Sequence, residues 1–276
     1  MNDAARVPLS AGAAPAEARP VKIAIRDLRL EYVSEERGTS HLAVDALSLD
    51  IYENEFLCVV GPSGCGKSTL IAAIAGFLKP RAGRLEMDGR AITRPGADRG
   101  VVFQEYALLP WKTVLDNVGL GLKLRGVAKA ERDATARRFL AMTNLADAAE
   151  KYPHELSGGM KQRAAVARTL ANSPEVMLMD EPFAAVDAQT RMTLQEELLR
   201  IWGSTPTTVL FVTHSVDEAV FLGTRVVVLT PGPGRVKATL DVPIAREHRN
   251  WRDANADPVY IALRDQVLDL VRSARA

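Results

Sequence analysis

The chain has 276 residues, 47% of them hydrophobic and 25% charged, an ordinary globular composition with ample length for a buried core. Lys plus Arg number 35 and Asp plus Glu 34, so the formal net charge is +1, without the basic excess typical of chains that bind nucleic-acid backbones. The two cysteines, Cys58 and Cys65, make neither a disulfide framework nor a metal-ligand cluster, which fits a reducing compartment.

Residues 1–20 are rich in Ala and Pro and lack an apolar h-region, so they read as a mobile tail and not as a signal peptide. Apolar stretches such as residues 71–78 are far shorter than the ~20 residues of a spanning helix. Residues 22–32 and 41–52 alternate apolar and polar side chains across a polar link at 34–40, which predicts half-buried antiparallel strands. Residues 56–60 are a continuous apolar run ending at Gly61, the pattern of a strand buried on both faces of a parallel sheet. A Gly-rich loop and an apolar helix over 67–78 follow, then a strand-like run at 100–103 that ends in Gln104. Between 105 and 156 strand-like runs vanish and amphipathic stretches such as 128–142 dominate, predicting a helical insert. Apolar runs return at 176–179, closing in Asp180-Glu181, and at 208–212, closing in Thr213-His214. Helical segments at 188–202 and 216–222 follow them, and a last helical pattern covers 258–272. Repeated strand-then-helix units imply an open α/β sheet of right-handed βαβ crossovers, whose ligands sit beyond the C-terminal strand ends.

Those ends carry chemistry. Gly61-Pro62-Ser63-Gly64-Cys65-Gly66-Lys67-Ser68, followed by Thr69, fits G-x-x-x-x-G-K-S between a buried strand and a helix. Its glycines let successive N–H groups turn inward onto phosphate oxygens, and the helix adds its positive end. Lys67 reaches the β- and γ-phosphates of a nucleoside triphosphate, and the Ser68 hydroxyl is a ligand for Mg²⁺. A Gly-rich turn with a solvated lysine is the plain alternative. Asp180 can hold Mg²⁺ directly or through water, and Glu181, turned differently, can take the proton of an attacking water. The plain alternative here is a solvated acidic turn before Pro182. His214, on the same rim, can sense the γ-phosphate. The Gln104 amide can bind Mg²⁺ or position water while it links the nucleotide to the helical insert. Ser157-Gly158-Gly159, ahead of a helix over 161–170, forms a second anion cradle or else a simple helix cap. If it is a cradle, two phosphate-binding helix ends in one chain suit a head-to-tail dimer.

The ordered set resembles the nucleotide-binding subunit of ABC transporters over about residues 22–240. The resemblance runs from Tyr32 through the Walker A loop 61–68, the Q-loop Gln104, the signature Leu156 to Met160 and the Walker B run 176–180 with Glu181. It continues through the D-loop Ala184 to Asp187 and the switch residue His214. It implies a P-loop NTPase fold of the ABC type, α/β with an antiparallel β subdomain and an inserted α-helical subdomain. ATP and Mg²⁺ are the implied ligands. Tyr32 would stack on adenine, and Glu181 would be the catalytic base. Ser157, Gly158 and Gly159 would contact the γ-phosphate across a dimer, and Asp187 would couple the two sites. The implied partners are an identical or similar ATPase, transmembrane permease subunits and, indirectly, a periplasmic solute-binding protein, with no nucleic acid. The implied location is the cytoplasmic face of a bacterial inner membrane. The expected organisation is a tail 1–20, an ATPase domain 21–240 with its insert at about 105–157, and a short extension 241–276. That extension is too short for the large regulatory domains of some sugar importers. Two positions depart from the common pattern: Met160 stands where Gln is usual, and the D-loop lacks a hydroxyl at Ala184.

Residues 95–104, Leu109-Pro110-Trp111 and 231–235 are similar to the nitrate/sulfonate/taurine/bicarbonate branch of importers, the taurine ATPases above all. The expected function is therefore an ATPase energising import of a small anion, with taurine or another sulfonate ahead of nitrate or bicarbonate. A soluble ABC ATPase of DNA repair would carry a long coiled coil between Ser68 and Ser157, where no heptads occur, and a ribosomal one would carry two cassettes. A P-loop kinase is opposed by the signature and His214. Two side chains invite expectations. Cys65, inside the phosphate loop, is expected to react with a maleimide at the expense of activity, with MgATP protecting; a buried, inert thiol is the plain alternative. Trp111 belongs either to the core or to a permease-facing surface.

Overall fold

The computed structural model describes residues 19–34, 39–205, 207–245 and 249–274, so most of the expected tail lies outside the described residues. Two sheets organise the fold. The first contains β1 (Val21–Ser34) and β2 (Thr39–Tyr52), which pair antiparallel as their alternation predicts, with β4 (Ala82–Met87) and β5 (Arg90–Ala91) in the order β2-β1-β4-β5.

The second sheet has six strands, ordered β10-β9-β3-β8-β7-β6. These are β3 (Phe56–Val60), β6 (Arg99–Val102), β7 (Val176–Asp180), β8 (Thr208–Thr213), β9 (Arg225–Leu229) and β10 (Val236–Asp241). All neighbours are parallel except the β9–β10 edge. Because successive side chains point to opposite faces, the central strands feed two separate cores. Phe56, Cys58, Val60, Met177, Met179, Val209 and Phe211 join the larger core, and Leu57, Val59, Val176, Leu178, Leu210 and Val212 join the smaller one.

The smaller core holds α1 (Lys67–Ala75) between the two sheets, which is why that helix is apolar nearly all round. It stops at Ala75, short of the predicted Leu78, because Gly76 turns left-handed at φ 83° and donates to the Ala72 and Ala73 carbonyls. The larger core is covered by α5 (Gly158–Leu170), α6 (Ala188–Ser204), α7 (Val216–Leu222) and α9 (Pro258–Arg272). The short α2 (Val114–Val118), α3 (Leu120–Leu124) and the longer α4 (Lys129–Met142) occupy the stretch where strand patterns vanish. Helices α2 and α4 pack on α5.

Residues beyond Asp241 share the larger core. Trp251, which opens α8 (Trp251–Ala254), stacks on Phe221 at 4.1 Å between ring centroids and meets the buried Tyr260 edge-on. Strands β4, β5, β9 and β10 were not anticipated. In β4 only Leu85 and Met87 carry an alternating signal, whereas the apolar run 226–229 was a readable one. Among the described residues no helix is long and apolar enough to cross a membrane.

Candidate active site

The phosphate loop leaves β3 at Gly61 and enters α1 at Lys67. Gly66, at φ 90°, is obligatory: a Cβ there would stand 2.6 Å from the Ala43 carbonyl oxygen of β2. Gly64, also left-handed at φ 77°, faces open space on the outer side of the loop. Lys67 is buried, and its ammonium donates to the Gly61 and Pro62 carbonyls at 3.0 Å each, curling over the loop. The turn at 231–235 backs the loop from below. A Cβ on Gly232 would approach the Gly64 carbonyl oxygen to 2.9 Å, and one on Gly234 the Cys65 carbonyl oxygen to 2.0 Å. Gly234 also donates to the Ala43 carbonyl at 2.9 Å and accepts from the Asp45 N–H at 3.1 Å.

The Cys65 thiol points inward. It has no exposure, belongs to the smaller core and lies 3.9 Å from the Lys67 ammonium. Burial pushes the thiol above its usual range. The geometry therefore favours the buried, inert thiol over ready alkylation: the backbone of Cys65 belongs to the loop, while its side chain is packing.

Asp180 ends β7 on the α1 side, as alternation from Leu178 requires, and accepts from the Ser68 hydroxyl at 2.9 Å. Burial raises the Asp180 carboxyl, and the Ser68 hydrogen bond partly offsets this. Glu181 breaks the alternation at φ 44°, with its N–H on the Val212 carbonyl at 3.0 Å. Its carboxylate sits 2.8 Å from His214 Nδ1 at the end of β8. Parallel pairing of β3 with β8 and of β8 with β7 thus gathers Lys67, Ser68, Asp180, Glu181 and His214 on one rim. Gln104 follows β6, which pairs with β7, and is exposed at the same edge. The segment after it is clamped by Arg168 of α5, which donates to the Tyr106 and Ala107 carbonyls at 2.9 and 2.5 Å.

The remaining predicted residues lie on other elements. Tyr32, half exposed, pairs with His41 near the end of β1, two residues along β2 from the Ala43 that abuts Gly66. Ser157 caps α5, accepting from the Met160 N–H at 3.3 Å, so the helix-cap reading holds in the single chain. Ser157 and Gly158 are exposed, while a Cβ on the buried Gly159 would come within 2.7 Å of Thr190 in α6. Asp187 caps α6, accepting from the Thr190 N–H at 3.0 Å, and that backbone hydrogen bond holds its carboxyl below the usual range. Trp111 is 71% exposed. It rides on a turn pinned by the fully buried Asn117, whose side chain accepts from the Leu109 N–H at 2.7 Å and donates to the Thr113 carbonyl at 2.9 Å. Phe77 and Phe103 form an exposed stack one residue before Gln104, with centroids 6.3 Å apart.

A glycine loop curled around a buried lysine, backed by paired carboxylates and a histidine at parallel strand ends, defines a P-loop nucleotide-binding ATPase. The ABC transporter family profile matches residues 44–184. An uncharacterised ABC transporter ATP-binding protein of Methanocaldococcus jannaschii is 54% identical over 226 residues, covering 82% of this chain and 85% of the relative. The taurine import ATP-binding protein TauB of Rhizobium johnstonii is 50% identical over 86% of this chain and 91% of its own length. That of Pseudomonas aeruginosa is 48% identical over 85% of this chain and 90% of its own length. A dimeric ATP-binding cassette in a post-hydrolysis state with ADP and Pi superposes with TM-score 0.70 at 31% identity, covering 80% of this chain and 98% of that one. The chain belongs to the ABC transporter family and is one of its ATP-binding, ATP-hydrolysing cassettes.

Proposed function

We propose that the chain is the ATPase subunit of a bacterial importer and that it energises uptake of taurine or a related alkanesulfonate through separate permease subunits. The observation that carries the catalytic part is the pair of contacts on one rim, Ser68 with Asp180 and Glu181 with His214. Lys67 would release the Gly61 and Pro62 carbonyls and turn to the β- and γ-phosphates, with the N–H groups of residues 61–69 around them. Mg²⁺ suits the Ser68–Asp180 pair. The Ser68 hydroxyl and the Asp180 carboxylate, already hydrogen-bonded to each other at 2.9 Å, would hold the ion, Asp180 directly or through water. Among the described residues no group of three His, Cys, Asp or Glu side chains could hold a metal, so the other ligands would be phosphate oxygens and water, with Gln104 a further candidate. When bound, the ion neutralises charge on the phosphates.

Glu181 is the general base: its carboxylate takes a proton from the attacking water, and His214 holds it toward the γ-phosphate. Tyr32 would stack on adenine. Ser157 and Gly158 face solvent, with the buried Gly159 behind them, on an element apart from the Lys67 loop, which suits a cradle of Ser157, Gly158 and Gly159 presented to ATP on a partner cassette, with Asp187 between the sites. The cassette would span 21–240, insert included, and work at the cytoplasmic face of the inner membrane. The exposed Trp111 and the Phe77–Phe103 stack would receive the permease. The sulfonate assignment rests on relatives named for taurine import at 45–50% identity. Reconstitution with a permease that co-purifies with the chain tests both parts. Taurine-stimulated MgATP hydrolysis is expected; stimulation by nitrate or bicarbonate alone would reassign the substrate, and failure to co-purify with any permease would remove the importer reading.

A further inference from the structure

On the opposite face of the sheet from the nucleotide lies a buried polar chain that phosphate binding does not use. Alternation along β8 turns Thr213 toward α6 and α7, while His214 projects to the nucleotide rim. The Thr213 hydroxyl donates to Glu218 Oε2 at 2.5 Å and accepts from the Ser215 N–H at 3.0 Å. The Ser215 hydroxyl accepts from the Glu218 N–H at 3.2 Å. His214 is therefore flanked on both sides by residues tied to Glu218. The second carboxylate oxygen accepts from Gln195 Nε2 at 2.9 Å and lies 4.0 Å from the Arg191 guanidinium. Arg191 in turn donates at 2.8 Å to the carbonyl of Val186, in the turn that ends at Asp187. Gln195 also accepts from the Trp251 indole at 3.0 Å.

Thr213, Gln195 and Glu218 are 1%, 1% and 7% exposed. A carboxylate in such a place costs free energy that an apolar side chain of the same volume would avoid, so packing alone does not account for it. Its hydrogen bonds fix the 213–215 turn, and its charge stands 4.0 Å from the Arg191 guanidinium that holds the 184–187 turn through Val186. We propose that Glu218 is a positioning residue: it locks the Thr213-His214-Ser215 turn to the 184–187 turn through Arg191, so that His214 and Asp187 hold their places as one unit. The inference rests on the ATPase reading above, in which His214 orients Glu181. The phosphate loop does not touch this chain of hydrogen bonds, so nucleotide affinity is independent of it.

The test uses the full-length chain as wild type, Glu218→Gln, Thr213→Val, Thr213→Ser and Arg191→Met. The Gln variant keeps shape and an acceptor for Gln195 but removes the charge that faces Arg191. Misplacing a catalytic group by a fraction of an ångström costs about tenfold or more in turnover. Glu218→Gln and Thr213→Val should each lower kcat for MgATP by about that factor, with KM and nucleotide affinity within about twofold. Thr213→Ser, which keeps the hydroxyl, should restore most of the turnover. Adding Arg191→Met to Glu218→Gln should cost little more, because the link is already broken. The imidazole NMR signals provide a readout that needs no hydrolysis: those of His214 should shift in Glu218→Gln while those of His41 and His154 stay in place. Wild-type kcat in Glu218→Gln, or a lower kcat with His214 signals unmoved, overturns the proposal. A merely structural role would shift all the histidines and would leave Thr213→Ser no better than Thr213→Val. If the wild type hydrolyses no MgATP under any condition, the ATPase reading falls, and the imidazole signals still decide the positioning.

Discussion

Glu181 owes its place to a single backbone angle. A residue following Asp180 in regular β geometry would turn toward the larger core; the left-handed φ of 44° swings it back to the rim, within 2.8 Å of His214. The carboxylate therefore reaches the rim of the site, where the proposed role as general base would need it. Glu181→Gln preserves that shape while removing the base. ATP binding should persist and turnover should fall by ~10²–10⁴, as steady-state hydrolysis beside a nucleotide titration will measure; a change of only a few fold would dismiss Glu181 as the base. Cysteine behaviour is also decided residue by residue. Cys58 and Cys65 are fully buried, and burial pushes both thiols up, Cys58 the further. Thiolate is the reactive form, so the native chain should show no fast-reacting thiol at neutral pH, and both should react once it is unfolded. Rapid labelling of native protein would show that the loop opens far enough to expose Cys65.

At the scale of elements, helix ends and turns carry the site. Three helices begin with a capping side chain at or beside a proposed site residue: Ser157 before α5, Asp187 before α6 and Ser215, next to His214, before α7. For Ser157 and Asp187 the capping side chain is itself the proposed contact, whereas Ser215 caps α7 beside the proposed contact His214. The turn carrying Trp111 shows the opposite division. Asn117 supplies the internal hydrogen bonds, leaving the indole free to lie outside. Trp111→Ala should therefore leave thermal stability and ATP affinity nearly unchanged while weakening permease assembly and transport, as pull-down and uptake in reconstituted vesicles will check. A parallel loss of ATP binding would assign the ring a packing role after all.

For the molecule as a whole, the question is how the Lys67 loop and the Ser157 cradle meet. They sit on α1 and α5, against different faces of the six-stranded sheet, and the structural relatives include dimeric cassettes. If ATP is shared between two chains, Lys67→Ala and Ser157→Arg should complement. Each mutant alone makes only defective sites, whereas a mixed dimer concentrates both defects in one site and leaves the other whole. In a Glu181→Gln background, where turnover is blocked, the mixture should form an ATP-dependent dimer detectable by light scattering when neither mutant alone does. No gain on mixing, with wild type dimerising under the same conditions, would place both segments around one ATP in one chain.

The amino-acid order by itself determined the α/β class, the strands β1, β2, β3, β7 and β8, the helices α6, α7 and α9 and the candidate residues of the rim. Those elements are alternating or continuous apolar runs or strong helical patterns, and local periodicity is enough to read them. The tertiary structure decided how they assemble. Strand order, and with it the gathering of Ser68, Asp180, Glu181 and His214, depends on which distant segments pair. The inward turn of Cys65, the exposure of Trp111 and the backing of the phosphate loop by Gly232 and Gly234 depend on neighbours far away in the chain. Glu218 was legible only as a polar residue four places after His214. Its link to Arg191 and to the 184–187 turn exists because α6 and α7 pack on one face of the sheet, and no local pattern encodes that contact.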